Sequence, residues 1–347
     1  MAHRNIPLFI PHMGCPHQCV FCDQHSISGQ ARFREELISE RLEAAVATLS
    51  PEDDCEIAFF GGSFTGIDRA LMIRLLELAE RYVERGAVQA IRLSTRPDMI
   101  DREILTILGR YSVKTVELGL QSMNDRVLRA SGRGHTAECG ARACELVKEF
   151  GFSLVGQMMI GLPDSTVTEE LETAERICSL RADACRVYPT VVFHGTPLAK
   201  MTEQGSYRPL TLEDAVVRSA RAVEVFEKHG VGCLRVGLCA SEELMSETRV
   251  MAGPNHPALG ELVWNEIYYQ RLLRLVAEHQ LSGNLLEMTV SKKEISKAVG
   301  QHRCNLERLE RETGARVQKI RGAEQDGVLF FTRIEKKLYE GEHRACI

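Results

Sequence analysis

Between Ile6 and about Gly195, short apolar runs alternate with stretches whose apolar residues recur at helical spacing, and this alternation restricts the fold more than any other feature. The runs are Ile6–Ile10, Glu56–Phe60, Ala90–Thr95, Thr115–Leu120, Ser153–Ile160 and Ala184–Thr190. Glu35–Leu49, Arg69–Glu84, Arg102–Arg110, Ala137–Phe150 and Val167–Leu180 lie between them and read as helices. In the second of these, Leu71, Leu75, Leu76, Leu78 and Ala79 keep the 3.6-residue period. Strands separated by helices form a parallel sheet with crossover connections. Runs that are largely apolar on both faces predict helices covering that sheet.

In a barrel-like sheet, chemistry gathers where the strands end. The loops after the runs carry the unusual residues: Cys15–Cys22, then Gly61-Gly62-Ser63, then Thr95-Arg96-Pro97-Asp98. Gln121-Ser122 follows the fourth run, Gly161-Leu162-Pro163-Asp164 the fifth, and Tyr188 to His194 closes the sixth. Glycine, proline and polar residues thus collect at one end of the predicted sheet.

The first loop holds three of the chain's 12 cysteines within eight residues, Cys15-Pro-His-Gln-Cys19-Val-Phe-Cys22. Three thiolates on one short loop can grip one metal centre. Zinc needs a fourth ligand, for which His17 and His25 are nearby, although paired Cys-x-x-Cys knuckles are absent. A [4Fe–4S] cluster also takes thiolates, and three of them leave one iron open for a substrate or cofactor. The other nine cysteines are scattered singly, as buried or surface thiols of a reducing compartment are.

Composition narrows the class. With 347 residues, 44% hydrophobic and 26% charged, the chain is no disordered tail or fibre. Its longest weakly polar run, Phe152 to Pro163, falls short of the roughly 18 residues of a membrane helix. The apolar patch after Arg4 is too short for a signal peptide, so no membrane association and a cytoplasmic location are expected.

The cysteine spacing, with Phe21 before the third sulfur, resembles the radical S-adenosylmethionine (SAM) superfamily. Phe60-Gly61-Gly62-Ser63-Phe64-Thr65-Gly66, Ser94-Thr95-Arg96-Pro97-Asp98 and Val116 to Ser122 match it too, as do Arg133-Gly134-His135-Thr136 and Gly161-Leu162-Pro163-Asp164. Together they are similar to the branch shared by the Elongator catalytic subunit and oxygen-independent coproporphyrinogen oxidase. The resemblance implies a partial (β/α)6 barrel of the TIM type, a [4Fe–4S] cluster held by Cys15, Cys19 and Cys22, and SAM on the open iron. It implies reductive cleavage of SAM to a 5′-deoxyadenosyl radical, with a flavodoxin or ferredoxin as electron donor.

By the same resemblance Phe21 packs near the adenine, and Gly61 and Gly62 receive the methionine amino group, where a Cβ would block the approach. Gln121 contacts the ribose and Arg133 the carboxylate, for which an Arg fork is suited. Ser94 stands where relatives carry a ribose-binding Glu, and Gln157 where the porphyrin enzymes carry Asp. Tyr188 and His194 are the catalytic candidates at the substrate mouth, in a stretch closer to the Elongator subunit. The resemblance runs from Ile6 to Gly237, and no acetyltransferase domain is expected to follow.

Three segments are therefore expected: the barrel over 1–208, an extension over 209–281 and a small unit over 282–347. The extension holds a helix from Thr211 to His229 and a short strand, Gly232–Val236, that would lengthen the sheet. From Ser291 onward the net charge is +4, against -9 before it. Leu286–Val290, helix Lys292–Val299, the turn Gly300-Gln301-His302-Arg303, helix Cys304–Thr313 and strand Ala315–Ile320 resemble a KH RNA-binding module, with Arg303 in place of the second glycine. Lys297, Gly300, Arg303 and Arg308 are its candidate RNA contacts, while interspersed Glu307, Glu310 and Glu312 suit a solvated helix equally. The leading functional reading is modification of a tRNA base. A small-molecule or porphyrin substrate is the alternative, and a nonenzymatic RNA-binding or zinc protein is a remote third.

Overall fold

Six strands follow one another in space in the order of the sequence: β1 (His3–Phe9), β2 (Asp54–Phe60), β3 (Ala90–Thr95), β4 (Val113–Gln121), β5 (Ser153–Ile160) and β6 (Ala184–Pro189). A two-residue strand β7 (Val192–Phe193) leaves this sheet, and β8 (Gly232–Val236) returns as its seventh member, beside β6. Every neighbouring pair is parallel. The result is the expected open α/β barrel with one added strand. β7 instead pairs antiparallel with β9 (Val250–Ala252). The computed structural model describes residues 3–16, 19–24, 27, 33–50, 52–238 and 248–334; His17, His25, Cys239 and Cys346 lie outside them.

The crossover helices are α1 (Ile38–Val46), α2 (Arg69–Glu84), α3 (Arg102–Leu108), α4 (Asp125–Ala130), α5 (Ala137–Glu149) and α6 (Val167–Ser179), followed by α7 (Pro197–Glu203) and α8 (Leu212–Lys228). Their starts are set locally. Asp101 accepts from the Ile104 amide, Thr136 from that of Cys139, and Thr166 with Glu169 forms a capping box on α6. α2 buries Leu71, Met72, Leu75, Leu76, Ala79 and Tyr82 against the sheet. Fully burying each large apolar side chain contributes about 1.5–3 kcal/mol, enough to outweigh modest helix propensity.

The strands are not apolar on both faces. Glu56, Arg92, Glu117 and Arg186 stand on β2, β3, β4 and β6, all buried. Arg186 Nε lies 2.9 Å from Glu117 Oε2, and Arg92 lies 3.9 Å from the same oxygen and 3.4 Å from Glu56. This internal ion network qualifies the reading of strands largely apolar on both faces. The inner face of the barrel carries these paired charges beside apolar residues such as Phe9 and Phe60, while the face toward the helices is oily.

A second unit begins at Glu261, with the first ending at Gly260. It contains most of α9 (Leu259–Glu278), then β10 (Leu285–Ser291), α10 (Ile295–Val299), α11 (Cys304–Thr313), β11 (Arg316–Ala323) and β12 (Leu329–Arg333). Its sheet runs β11–β10–β12, with β10 parallel to β11 and antiparallel to β12. Tyr268, Tyr269, Leu272 and Val276 of α9 pack with Leu286, Met288 and Val290 of β10 and with Leu306 and Leu309 of α11. The boundary expected at 281 therefore moves back to 260, because α9 supplies one wall of this core. No helix among the described residues is long and apolar enough to cross a membrane.

Candidate active site

The strands of the first unit end around a cavity of about 210 Å³. Cys15, Cys19, Phe21 and Cys22 line it from the loop after β1, and Phe60, Gly61 and Gly62 from the end of β2. Ser94 and Thr95 come from β3 and Arg96 from the residue after it, Gln121 from β4, Gln157 from β5, and Arg186 and Tyr188 from β6. Arg133 reaches in from the turn after α4. Parallel strands deliver every one of these groups to the same end.

The cysteine loop is seated backbone against backbone on the glycine turn. A Cβ on Gly62 would lie 2.4 Å from the Met13 carbonyl oxygen and 2.6 Å from that of Ile10. Gly14 has φ +71°, and a Cβ there would lie 2.1 Å from the Ser63 carbonyl oxygen. The Ser63 amide donates to the Met13 carbonyl at 2.8 Å. The glycines are thus required first by the chain's own packing, a reason the sequence reading had placed in ligand approach. Gly14 was missed by it, and Ser63 was given no role of its own; its hydroxyl bonds that of Thr95 at 2.8 Å and ties the turn to β3.

Cys19 is buried, and the other two thiols are half-buried. Burial pushes Cys22 up to about 12, with Cys19 and Cys15 adding to it. Burial also raises Cys15, against the opposing Arg133 and Arg96 guanidiniums. Arg133 Nη1 lies 3.4 Å from Cys19 Sγ, and its Nη2 donates to the Gly119 carbonyl. Arg96 forms a two-pronged pair with Asp98, at 2.9 and 2.7 Å, and donates to the Arg133 carbonyl at 2.7 Å. Two guanidiniums therefore stand over the sulfur loop, a field that favours anionic thiolates once protons leave.

The residues fit the group that the loop suggests. Cys15, Cys19 and Cys22 line one cavity, and three thiols are the donor set that a [4Fe–4S] cluster with one open iron takes. Around the cavity Ser94 Oγ, Gln121 Oε1, Arg96 Nη1 and Arg133 Nε are buried without a hydrogen-bond partner among the described residues. Buried polar atoms of this kind are costly unless a ligand meets them. Gln121 is held at φ +67° where the β4–β5 register shifts, and its amide donates to Gln157 Oε1 at 2.8 Å. Strain of about 1–3 kcal/mol at a non-glycine residue there marks a site constraint.

Other expectations are placed differently. Tyr188 faces the cavity, its hydroxyl 3.3 Å from Arg186 Nη1. His194 does not line it. The chain turns away after Pro189 so that β7 can pair with β9, leaving His194 exposed with its amide on the Arg249 carbonyl. Glu117 and Arg186 do line the cavity and had no assigned role. A lone charge inside an apolar strand was their signal, since a buried charge needs a partner.

In the second unit, Gly300, His302 and Arg303 all have positive φ, and residues 301–304 are exposed. Gly300 is held there, since a Cβ would lie 2.6 Å from Cys304 Sγ. Lys297 Nζ sits 4.4 Å above the Trp264 ring. Arg308 is committed internally: it pairs with Glu266 at 2.7 Å and Glu312 at 2.9 Å and stacks on Tyr269.

A parallel open barrel with three thiols and two guanidiniums at the strand ends is the framework of a cluster-dependent radical enzyme. The Radical SAM superfamily model matches residues 9–177, and its C-terminal domain model matches residues 182–269. The chain belongs to the radical SAM superfamily and is an enzyme of it, and the family's cofactors are a [4Fe–4S] cluster and SAM. It is 26% identical over 209 residues to protein YhcC of Escherichia coli, covering 59% of this chain and 66% of that one. It is 25% identical over 244 residues to the tRNA uridine(34) acetyltransferase of Methanocaldococcus infernus, covering 65% of this chain and 45% of that one. With human Elongator complex protein 3 it shares 31% over 148 residues, covering 41% and 27% respectively. The match thus spans less than two thirds of each of these relatives. An archaeal Elp3 structure from M. infernus superposes with a TM-score of 0.58 at 24% identity, covering 67% of this chain and 58% of that one, and so shares the fold.

Proposed function

We propose that this chain modifies a base of tRNA. The observation that carries the proposal is its relation, across 65% of its length, to a tRNA uridine(34) acetyltransferase. When bound, the cluster and SAM supply one-electron cleavage of a sulfonium carbon–sulfur bond and a radical able to take a hydrogen atom from substrate.

The chain's own residues do the rest. Cys15, Cys19 and Cys22 hold the cluster. Arg133 and Gln121 receive the polar groups of SAM, with Ser94, Gln157 and the Gly61-Gly62 turn, and Phe21 packs beside its base. Arg96 holds the Arg133 carbonyl and so fixes that loop. Phe9, Phe60 and Phe21 give the cavity an oily wall that keeps water from a reactive centre. Tyr188 is positioned by Arg186, itself pinned by Glu117. The Gly300–Arg303 turn of the second unit contacts the RNA backbone, and a flavodoxin or ferredoxin delivers the electron.

Mass spectrometry of tRNA nucleosides from cells with the chain, without it, and with Cys19→Ala tests the proposal. One modified nucleoside should vanish in both altered strains. Identical nucleosides in all three would overturn it.

A further inference from the structure

Nine cysteines stand outside the cluster loop, and two of them meet. Cys185 on β6 is the register partner of Cys233 on β8. Neighbouring strands lie about 4.8 Å apart, inside the roughly 4.4–6.8 Å between Cα atoms that a disulfide spans. Both thiols are free, they stand opposite each other across the two strands, and the Cys233 thiol lies 3.7 Å from the Arg235 carbonyl oxygen. Arg186 and Tyr188 of β6 face the cavity, so Cys185 points to the opposite, helix-covered side, where Cys178 of α6 is its other thiol neighbour.

Their surroundings differ in a useful way. Cys185 is fully buried, whereas Cys233 is half-buried on the edge strand of the sheet. Immediately beyond the pair the register slips, so that Leu234 is an extra residue on β8, half exposed. Such a bulge loosens the edge and opens it to solvent. Contact with Cys185 holds the Cys233 thiol below its ordinary range, with help from the Arg235 backbone. The same contact, with burial, pushes Cys185 up. One half-buried sulfur on an edge strand beside one fully buried sulfur is the arrangement of an attacking and a resolving thiol.

We propose that Cys185 and Cys233 form an oxidisable dithiol that closes to a disulfide by exchange with a low-molecular-weight disulfide. The Cys233 thiolate attacks one sulfur of that disulfide, whose S–S bond breaks, and the departing thiolate takes up a proton. Cys185 then gives its proton to solvent and attacks the Cys233 sulfur, releasing the second small thiol. The protein loses two protons and two electrons, and the small disulfide is reduced to two thiols. Closure staples the edge strand to β6, the strand that carries Arg186 and Tyr188.

The test uses the anaerobically reconstituted holoprotein, incubated with oxidised glutathione, alkylated and mapped by peptide mass spectrometry, with iron content followed throughout. Wild type should yield a 185–233 cross-linked peptide, two hydrogens lighter than the reduced pair, with iron retained. Cys185→Ser should accumulate a glutathione adduct on Cys233, Cys233→Ser should give no cross-link, and Cys178→Ser should leave the product unchanged. A stable adduct on wild-type Cys233, a bridge to Cys178, or two alkylated thiols would each overturn the proposal.

Discussion

His135 is buried beside the Arg133 and Arg96 guanidiniums, and loss of hydration, then Arg133, lowers it from its ordinary 6.5 to about 4. It is therefore neutral in the folded protein at pH 7, while an unfolded chain would protonate it near 6.5. The unfolded state binds the extra proton, so the contribution is complete above pH 6.5 and is lost as pH falls toward 4. At pH 5 the loss should be on the order of 2 kcal/mol. Urea midpoints at pH 7.5 and 5.0 check this: wild type should drop further than His135→Gln, and equal drops would refute it. Residue chemistry around the cavity was partly readable. Cys15, Cys19 and Cys22 declare themselves by spacing, and Gln121, Arg133 and Gln157 by their motifs. Gly14 does not, because its constraint is a carbonyl oxygen of Ser63, far along the chain.

At the scale of elements, the ion network of β2, β3, β4 and β6 is a shared construction. Glu117 stands between Arg186 and Arg92, all buried, so a neutral side chain there leaves two guanidiniums short of countercharge. Glu117→Gln should cost about 3–5 kcal/mol of stability by denaturant unfolding. Arg186→Gln in the same chain should recover part of it, and a double mutant that is merely additive would show that the pair does not couple. Periodicity located β3, β5, β8, α2 and α11 at the ends they have, because each has a clear apolar stripe or run. It left α9 unseen. Val263, Trp264, Ile267, Tyr268, Tyr269 and Leu272 spread apolar surface widely around that helix, without a clean polar face. α4 and α7, at 6 and 7 residues, are too short to show a period.

Charge is a property of the whole molecule, and here its sum misleads. The +4 of the last segment is largely spent internally: Lys319 and Arg321 share Glu287, Arg316 lies by Glu310, and Arg308 lies between Glu266 and Glu312. Exposed Arg303, on its left-handed turn, forms no ion pair among the described residues. If this unit contacts tRNA, Arg303→Ala should weaken binding and lower the salt slope of log K by up to about 1. Arg308→Ala should leave that slope alone and lower the stability of the unit. Fluorescence titrations at several salt concentrations separate the two, and an unchanged slope in Arg303→Ala would remove the turn from the RNA contact.

By itself the order of residues determined the alternation of strands and helices, hence a parallel sheet with its loops at one end, and the sulfur spacing that places three thiols on one short loop. Those are local matters: period, cap and turn chemistry act within a few residues. Only the tertiary structure decided that the inner strand faces carry paired charges, that Cys185 meets Cys233, that His194 turns away while Tyr188 points in, and that α9 belongs to the second core. Each of these depends on which strand lies beside which, and contacts between residues far apart in sequence leave no periodic trace in it.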